Sequence, residues 1–294
     1  MTAANPAKPQ VDQARIVSAA TSLGLIGSGA GSVARLMKLL CDPQVSGAEI
    51  AALIENHPVL CARVLRVANS AYYGQPRSIT TIKQAVPVLG LSAIRGVAAA
   101  ACIDRAASHN GDDPIDMAAM LRHSLATAVA ADALARSHCE ALAAEAFIAG
   151  VLHNLGVAVQ VSIDASGIGA MLASLRSQAA QSIRALEAEH TTVRHEHCGA
   201  VVLDAWQLPE SLVAVAAHHH LPADAPAVHR NLVSLVNLGT TLALATGHTF
   251  ALEPTRMPHD PAALQQLGLT EGDLDPVTAD LPERVENLRR ALLG

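Results

Sequence analysis

The stretch AFIAGVLHNLGVAVQVSI, residues 146–163, decides the fold. It holds no Asp, Glu, Lys or Arg, and it approaches the roughly 20 apolar residues that a membrane span needs. Yet His153, Asn154 and Gly156 stand at its middle. Polar groups at mid-depth are expensive in lipid, so the stretch reads as a helix buried in a protein core. The charge-free segment 231–252 (NLVSLVNLGTTLALATGHTFAL) reads the same way, with Asn237 and Gly239 near its centre. Outward from these two segments the apolar residues recur at helical spacing, and no alternating strand pattern stands out.

Composition agrees with an all-α chain. Half of the 294 residues are hydrophobic, but the aromatic stock is two Phe, two Tyr and one Trp. A core built from Ala, Leu, Val and Ile favours closely packed helices. So few aromatics leave no platform for stacking single-stranded nucleic acid, and a net charge of −6 gives no general attraction to phosphate backbones. The hydrophobic content excludes a disordered chain. Five cysteines (Cys41, Cys61, Cys102, Cys139, Cys198) are dispersed without a CxxC pair, which fits a reducing cytoplasm better than a disulfide framework or a zinc knuckle. The N-terminus, MTAANPAKPQVDQ, carries no signal-peptide pattern and is expected to be a short flexible tail.

Start and stop signals divide the rest. Ser46 with Glu49, and Thr81 with Gln84, have capping-box spacing. Pro58 suits a first helical turn, Gly90 breaks a helix, and helices are expected over 117–138, 141–153, 168–188, 196–206, 210–220 and 228–246. The polar segment SHNGDDP (108–114) is the best internal boundary. The glycine-rich LIGSGAGS (25–32) lacks the Lys-Ser/Thr ending and preceding strand of a phosphate loop, and reads as a plain loop. Residues 253–262 are proline-rich and irregular, and two short polar helices are expected at the end. Trp206 is expected to staple two helices in the core.

Fourteen histidines are the unusual feature. His123 lies within an apolar helix, His153 ends another, and His195, His197 and the run His218, His219, His220 follow. A neutral imidazole nitrogen is a common transition-metal ligand, so several helix-borne histidines raise the prospect of a shared site.

Five stretches, in order, carry a family resemblance: ANSAYYG (68–74), LGLSAIRG (89–96), RHSLATAVAADALA (122–135), AFIAGVLHNLG (146–156) and EHCGAVVLDAWQLPESLVAVAAHHH (196–220). Together they resemble the HDOD domain, a bacterial signalling relative of the HD metal phosphohydrolases, over about residues 20–250. The resemblance implies an all-α fold in which an N-terminal helical subdomain (16–110) packs on an HD-like helical bundle (115–252). A tail (1–15) would precede them, and a short C-terminal helical extension (253–294) would follow.

HD hydrolases hold metal on a His…His-Asp…Asp set, in which a bridging carboxylate lets two cations share an activated water. Carried over by resemblance, the histidines are His123 and His153, while both Asp positions are Asn: Asn154 and Asn237. Val157 stands where the motif's lysine often lies. A neutral amide cannot bridge two cations, and losing two carboxylates makes a buried dication far less favourable. The resemblance therefore implies a non-catalytic, cytoplasmic regulatory module without cofactor. It would act on other signalling proteins, with a possible tie to cyclic-di-GMP signalling, and not on nucleic acid or across a membrane. Two alternatives stay open. One is a degenerate phosphohydrolase with one transition-metal ion on His123, His153, His197, His219 and His220; the other is a nucleotide-sensing pocket without turnover. In the plainest case the Asn and His side chains satisfy each other as a buried hydrogen-bond network. Glu189, with Glu187 nearby, fits the family's acidic position and a capping or His-orienting role. Asn69, Ser70, Tyr72 and Tyr73 form the expected interaction surface, because two of the five aromatics adjoin there.

Overall fold

The computed structural model describes residues 11–25, 45–55, 58–70, 73, 77–107, 114–177, 182–253 and 257–293. Several sequence expectations lie outside these residues: the tail through residue 10, most of the glycine-rich loop, Tyr72, and the SHNGDDP boundary up to Asp113.

Asp12 opens α1 (Gln13–Ser22) by accepting from the Arg15 amide, so the helix begins inside the segment expected to be tail. Ser46 and Glu49 form the expected capping box at the start of α2 (Gly47–Glu55). Helix α3 (Pro58–Ala68) follows. Thr81 accepts from the Gln84 amide at the head of α4 (Ile82–Ala107), and Gly90, with φ of 70°, breaks α4 as its sequence position suggests. Next come α5 (Met117–His138) and α6 (Ala143–Leu152), then α7 (Gly156–Ser177) and α8 (Ile183–His190). The remaining helices are α9 (His195–Ala205), α10 (Glu210–His218), α11 (Arg230–Ala245), α12 (Pro261–Leu267) and α13 (Asp275–Leu293). Among the described residues there is no strand, only an isolated bridge between Phe250 and Glu253.

The helix expected over 168–188 is two helices. Asp164 departs from helical geometry and kinks α7, and its carboxylate accepts from the Gly167 and Thr192 amides. Ser182 then caps α8 afresh. The expected pair of short helices at the end is mostly one long helix, α13. It buries Leu281, Val285 and Leu288 and packs on α5 and α3.

Helix α5 is the axis of the bundle, with α6 and α11 packed along it. Small residues make that approach possible. A Cβ on Gly150 of α6 would lie 2.5 Å from Ala128 Cα, and one on Gly239 of α11 would lie 2.8 Å from the Thr127 carbonyl oxygen. This is the physical use of a chain rich in Ala and poor in aromatics. Helix α1 packs on α7 and α9, so residues 16–22, expected within the subdomain 16–110, contact the bundle. Trp206 is buried and donates its indole N–H to the Leu25 carbonyl, tying this N-terminal helix to the end of α9.

Among the described residues one apolar stretch, Glu140–Arg176, has the length and hydropathy of a membrane span. It contains the segment 146–163, and 83% of its most apolar window is buried inside the protein.

Candidate metal centre

The bundle brings histidines from four places to one chamber. His123 comes from the middle of α5, His153 from the end of α6, His195 from the first turn of α9, and His219 and His220 from just beyond α10. All are enclosed; even the His220 side chain is only 7% exposed.

Hydrogen bonds at the far side of each ring settle which nitrogen faces inward. His195 Nδ1 lies 2.7 Å from Glu187 Oε1, and His153 Nδ1 lies 2.7 Å from the Gly150 carbonyl. His219 Nδ1 faces the Val215 and Ala216 carbonyls, and His123 Nδ1 lies 2.8 Å from the His248 carbonyl. A carbonyl or carboxylate accepts only, so each Nδ1 carries the proton; on a neutral ring such as His153 or His219 Nε2 is then a lone pair, whereas His123 Nε2 faces the Glu253 carboxylate. Those Nε2 atoms converge. His195 Nε2 is 3.2 Å from both His219 Nε2 and His220 Nε2, and the three form a group able to hold one cation. His153 Nε2 is buried without a partner.

A proton on His195 Nε2 can be aimed well at only one of its two neighbours and leaves the other lone pair without a donor. A cation satisfies all three. Ligand nitrogens about 2.1 Å from a tetrahedral ion stand about 3.4 Å apart, close to the spacing seen. Tying the outer nitrogen to a carboxylate or carbonyl is also how metal-ligating histidines are oriented. The residues present therefore fit a transition-metal ion.

The electrostatics follow from burial and neighbours. Burial, with the adjacent imidazoles, pushes His153, His219 and His220 well below the ordinary histidine range, which keeps them neutral and able to ligate. Burial acts the same way on His195, but the Glu187 carboxylate outweighs it and raises the pKa. Glu253 enters from the chain after α11, with Oε2 3.1 Å from His123 Nε2 and Oε1 3.5 Å from His220 Nε2. Burial opposes its charge, yet the facing histidines, His123 foremost, hold its pKa well below the usual carboxylate range.

Three sequence-based expectations change. His197 is exposed on α9 and is not part of the chamber; His195 takes that place. Helix phase carries the signal, since His195 shares a face with the buried Cys198, Gly199 and Val202, whereas His197 shares one with the exposed Asp204. Glu187, not the exposed Glu189, orients a histidine. Asn154 and Asn237 do not join the histidine rings in a mutual network. The Asn154 amide is fully buried with neither atom hydrogen-bonded, while Asn237 Nδ2 donates to the His219 carbonyl and so holds the backbone that carries the ring. Of the expected interaction surface, Asn69 is exposed, Ser70 and Tyr73 are half-buried, and Tyr72 lies outside the described residues. Asn69 is bonded at both ends of its amide to neighbouring backbone, and Tyr73 packs on the core. Glu253 has no counterpart among the expected residues, since it begins a segment read as irregular.

The HDOD domain profile matches residues 27–222, and the chain belongs to the HDOD family. An uncharacterized protein of Treponema pallidum (strain Nichols) is 28% identical over 220 residues, 73% of this chain and 41% of that protein. The chain thus spans well under half the length of this curated relative. The crystal structure of an HDOD domain protein of unknown function from Geobacter sulfurreducens superposes with a TM-score of 0.72 at 22% identity, covering 95% of this chain and 97% of that one. A candidate signal transduction protein from Marinobacter aquaeolei VT8 gives 0.74 at 22% identity, covering 92% of this chain and 59% of the other. A candidate phosphohydrolase from Shewanella amazonensis SB2B gives 0.70 at 20% identity, covering 95% and 98%. At these identities the likeness is one of fold.

Proposed function

We propose that this HDOD protein is a regulatory signal-transduction module that encloses one transition-metal ion and acts through contacts with other proteins, without hydrolysing phosphoesters. The carrying observation is the chamber itself: inward-facing imidazole nitrogens on His195, His219 and His220, almost wholly enclosed by protein. Structural metal sites are closed, whereas catalytic ones keep a position open to substrate. A bound ion in an open site would supply Lewis acidity and an activated water. Here the ligand atoms are enclosed, and the two positions that the resemblance aligns with the carboxylates of the HD hydrolases carry the neutral Asn154 and Asn237.

A degenerate hydrolase is the second reading, favoured by the Glu253 carboxylate and the unpartnered His153 Nε2 in the same chamber. One set of measurements separates the two. Elemental analysis of the full chain purified without added metal should find close to one equivalent of transition metal, and chelator should lower the melting temperature. Less than about a tenth of an equivalent, with no effect of chelator, overturns the metal site. Incubation with nucleotides and cyclic dinucleotides, with and without Mn²⁺, should give no turnover. Metal-dependent turnover lost in His219→Ala overturns the regulatory reading. A nucleotide-sensing role would show as a saturable thermal shift without turnover.

A further inference from the structure

The chain after α11 has an unusual course. Gly247, with φ of 85°, ends the helix in the left-handed conformation, and the His248 amide bonds back to the Ala243 carbonyl. The His248 carbonyl then accepts from His123 Nδ1. Phe250 is buried with its ring centroid 5.1 Å from that of His123. A tight reversal pairs Phe250 with Glu253 through both backbone hydrogen bonds and turns Glu253 inward. Three successive contacts thus fasten this segment to the chamber wall before the carboxylate is delivered. Glu253 is 3% exposed, neither oxygen has a geometrically sound hydrogen bond, and the cationic side chains it meets among the described residues are imidazoles alone, His123 at 3.1 Å and His220 at 3.5 Å. A carboxylate so placed needs a positive charge beside it.

From this we infer that Glu253 is the anionic member of the metal site, the carboxylate that retains the cation where Asn154 and Asn237 are neutral. The inference rests on the reading that His195, His219 and His220 hold an ion. Three neutral imidazoles leave a dication's charge uncompensated in a dry interior. Glu187, acting through His195 Nδ1, and Glu253, at the His220 edge, together match it. Neither Glu187 nor Glu253 has an Arg or Lys ion pair among the described contacts, unlike the buried Glu196, which faces Arg184 and Arg194.

The test is competition for Zn²⁺ and Co²⁺ against a chromophoric chelator, using the full chain. Wild type should bind about one equivalent, and Glu253→Gln should bind about tenfold more weakly or worse, with an altered Co²⁺ visible spectrum. Glu271→Gln, an exposed carboxylate removed from the chamber, should bind as wild type does. Equal affinity and an unchanged spectrum for Glu253→Gln overturn the role of Glu253 while leaving the histidine triad standing. Failure of wild type to bind, or full affinity in His219→Ala, overturns the triad itself. If Glu253→Gln does not fold, Glu253→Asp, with its shorter reach, is read in the same assay: weakened binding supports the inference and unchanged binding overturns it.

Discussion

Asn69 shows what a single side chain can conceal in a sequence. In ANSAYYG it reads as a polar residue at the end of a helix, available to a partner. In the fold its Nδ2 donates to the Leu65 and Ile79 carbonyls, and its Oδ1 accepts from the Ile79 amide. It fastens the segment before α4 to the end of α3. Asn69→Ala would leave these groups without side-chain partners, and we expect a loss of about 1–2 kcal/mol in urea denaturation. Unchanged stability combined with lost partner binding would instead support the interaction-surface reading. His195 and His197 make the same point in the chamber. Two residues apart, they fall on opposite sides of α9, and only burial reveals which one serves the site.

At the scale of elements, the close approach of α7 to α9 sets the position of His195. A Cβ on Gly156 would lie 2.0 Å from the His195 carbonyl oxygen and 2.3 Å from the Gly199 amide nitrogen, and backbone cannot yield as a flexible side chain can. Gly156→Ala should therefore destabilise by about 1–3 kcal/mol or more in thermal or urea unfolding, and should also lower metal occupancy by shifting the first turn of α9. A fully stable, fully loaded variant would refute this account of the packing. The capping signals at Ser46, Thr81 and Gly90 were legible because capping is local: partners lie within four residues. The kink at Asp164, just before the helix expected over 168–188, was not, because its carboxylate accepts in part from Thr192, 28 residues away.

For the molecule as a whole, that same Asp164 gives stability a defined dependence on pH. Partial burial opposes its charge, but hydrogen bonds from Gly167 and Thr192 prevail and hold its pKa below the ordinary value of 3.8. A depressed folded pKa means that the stabilisation is fully present above the unfolded pKa and fades as pH falls through the folded one. The stability difference between wild type and Asp164→Asn should thus stay level above about pH 5 and shrink below about pH 4 in urea titrations. A difference independent of pH would remove Asp164 as the cause. Helix α13 acts at this scale too. Its buried Leu281, Val285 and Leu288 clamp α3 to α5, so a segment that reads as a polar tail closes the structure.

Periodicity, caps and the two charge-free stretches were sufficient for the sequence alone to determine an all-helical fold with His123 and Asn237 on buried core helices and His153-Asn154 at the buried end of another. Those signals are local or repeat along one helix, so they need no knowledge of neighbours. Only the tertiary structure decided that His195, and not His197, joins His219 and His220, and that a carboxylate returns to the chamber from Glu253. Convergence of side chains 58 residues apart depends on how helices cross and where a loop reverses. Here those are set by Gly156 against the backbone of α9 and by the Phe250–Glu253 turn against His123.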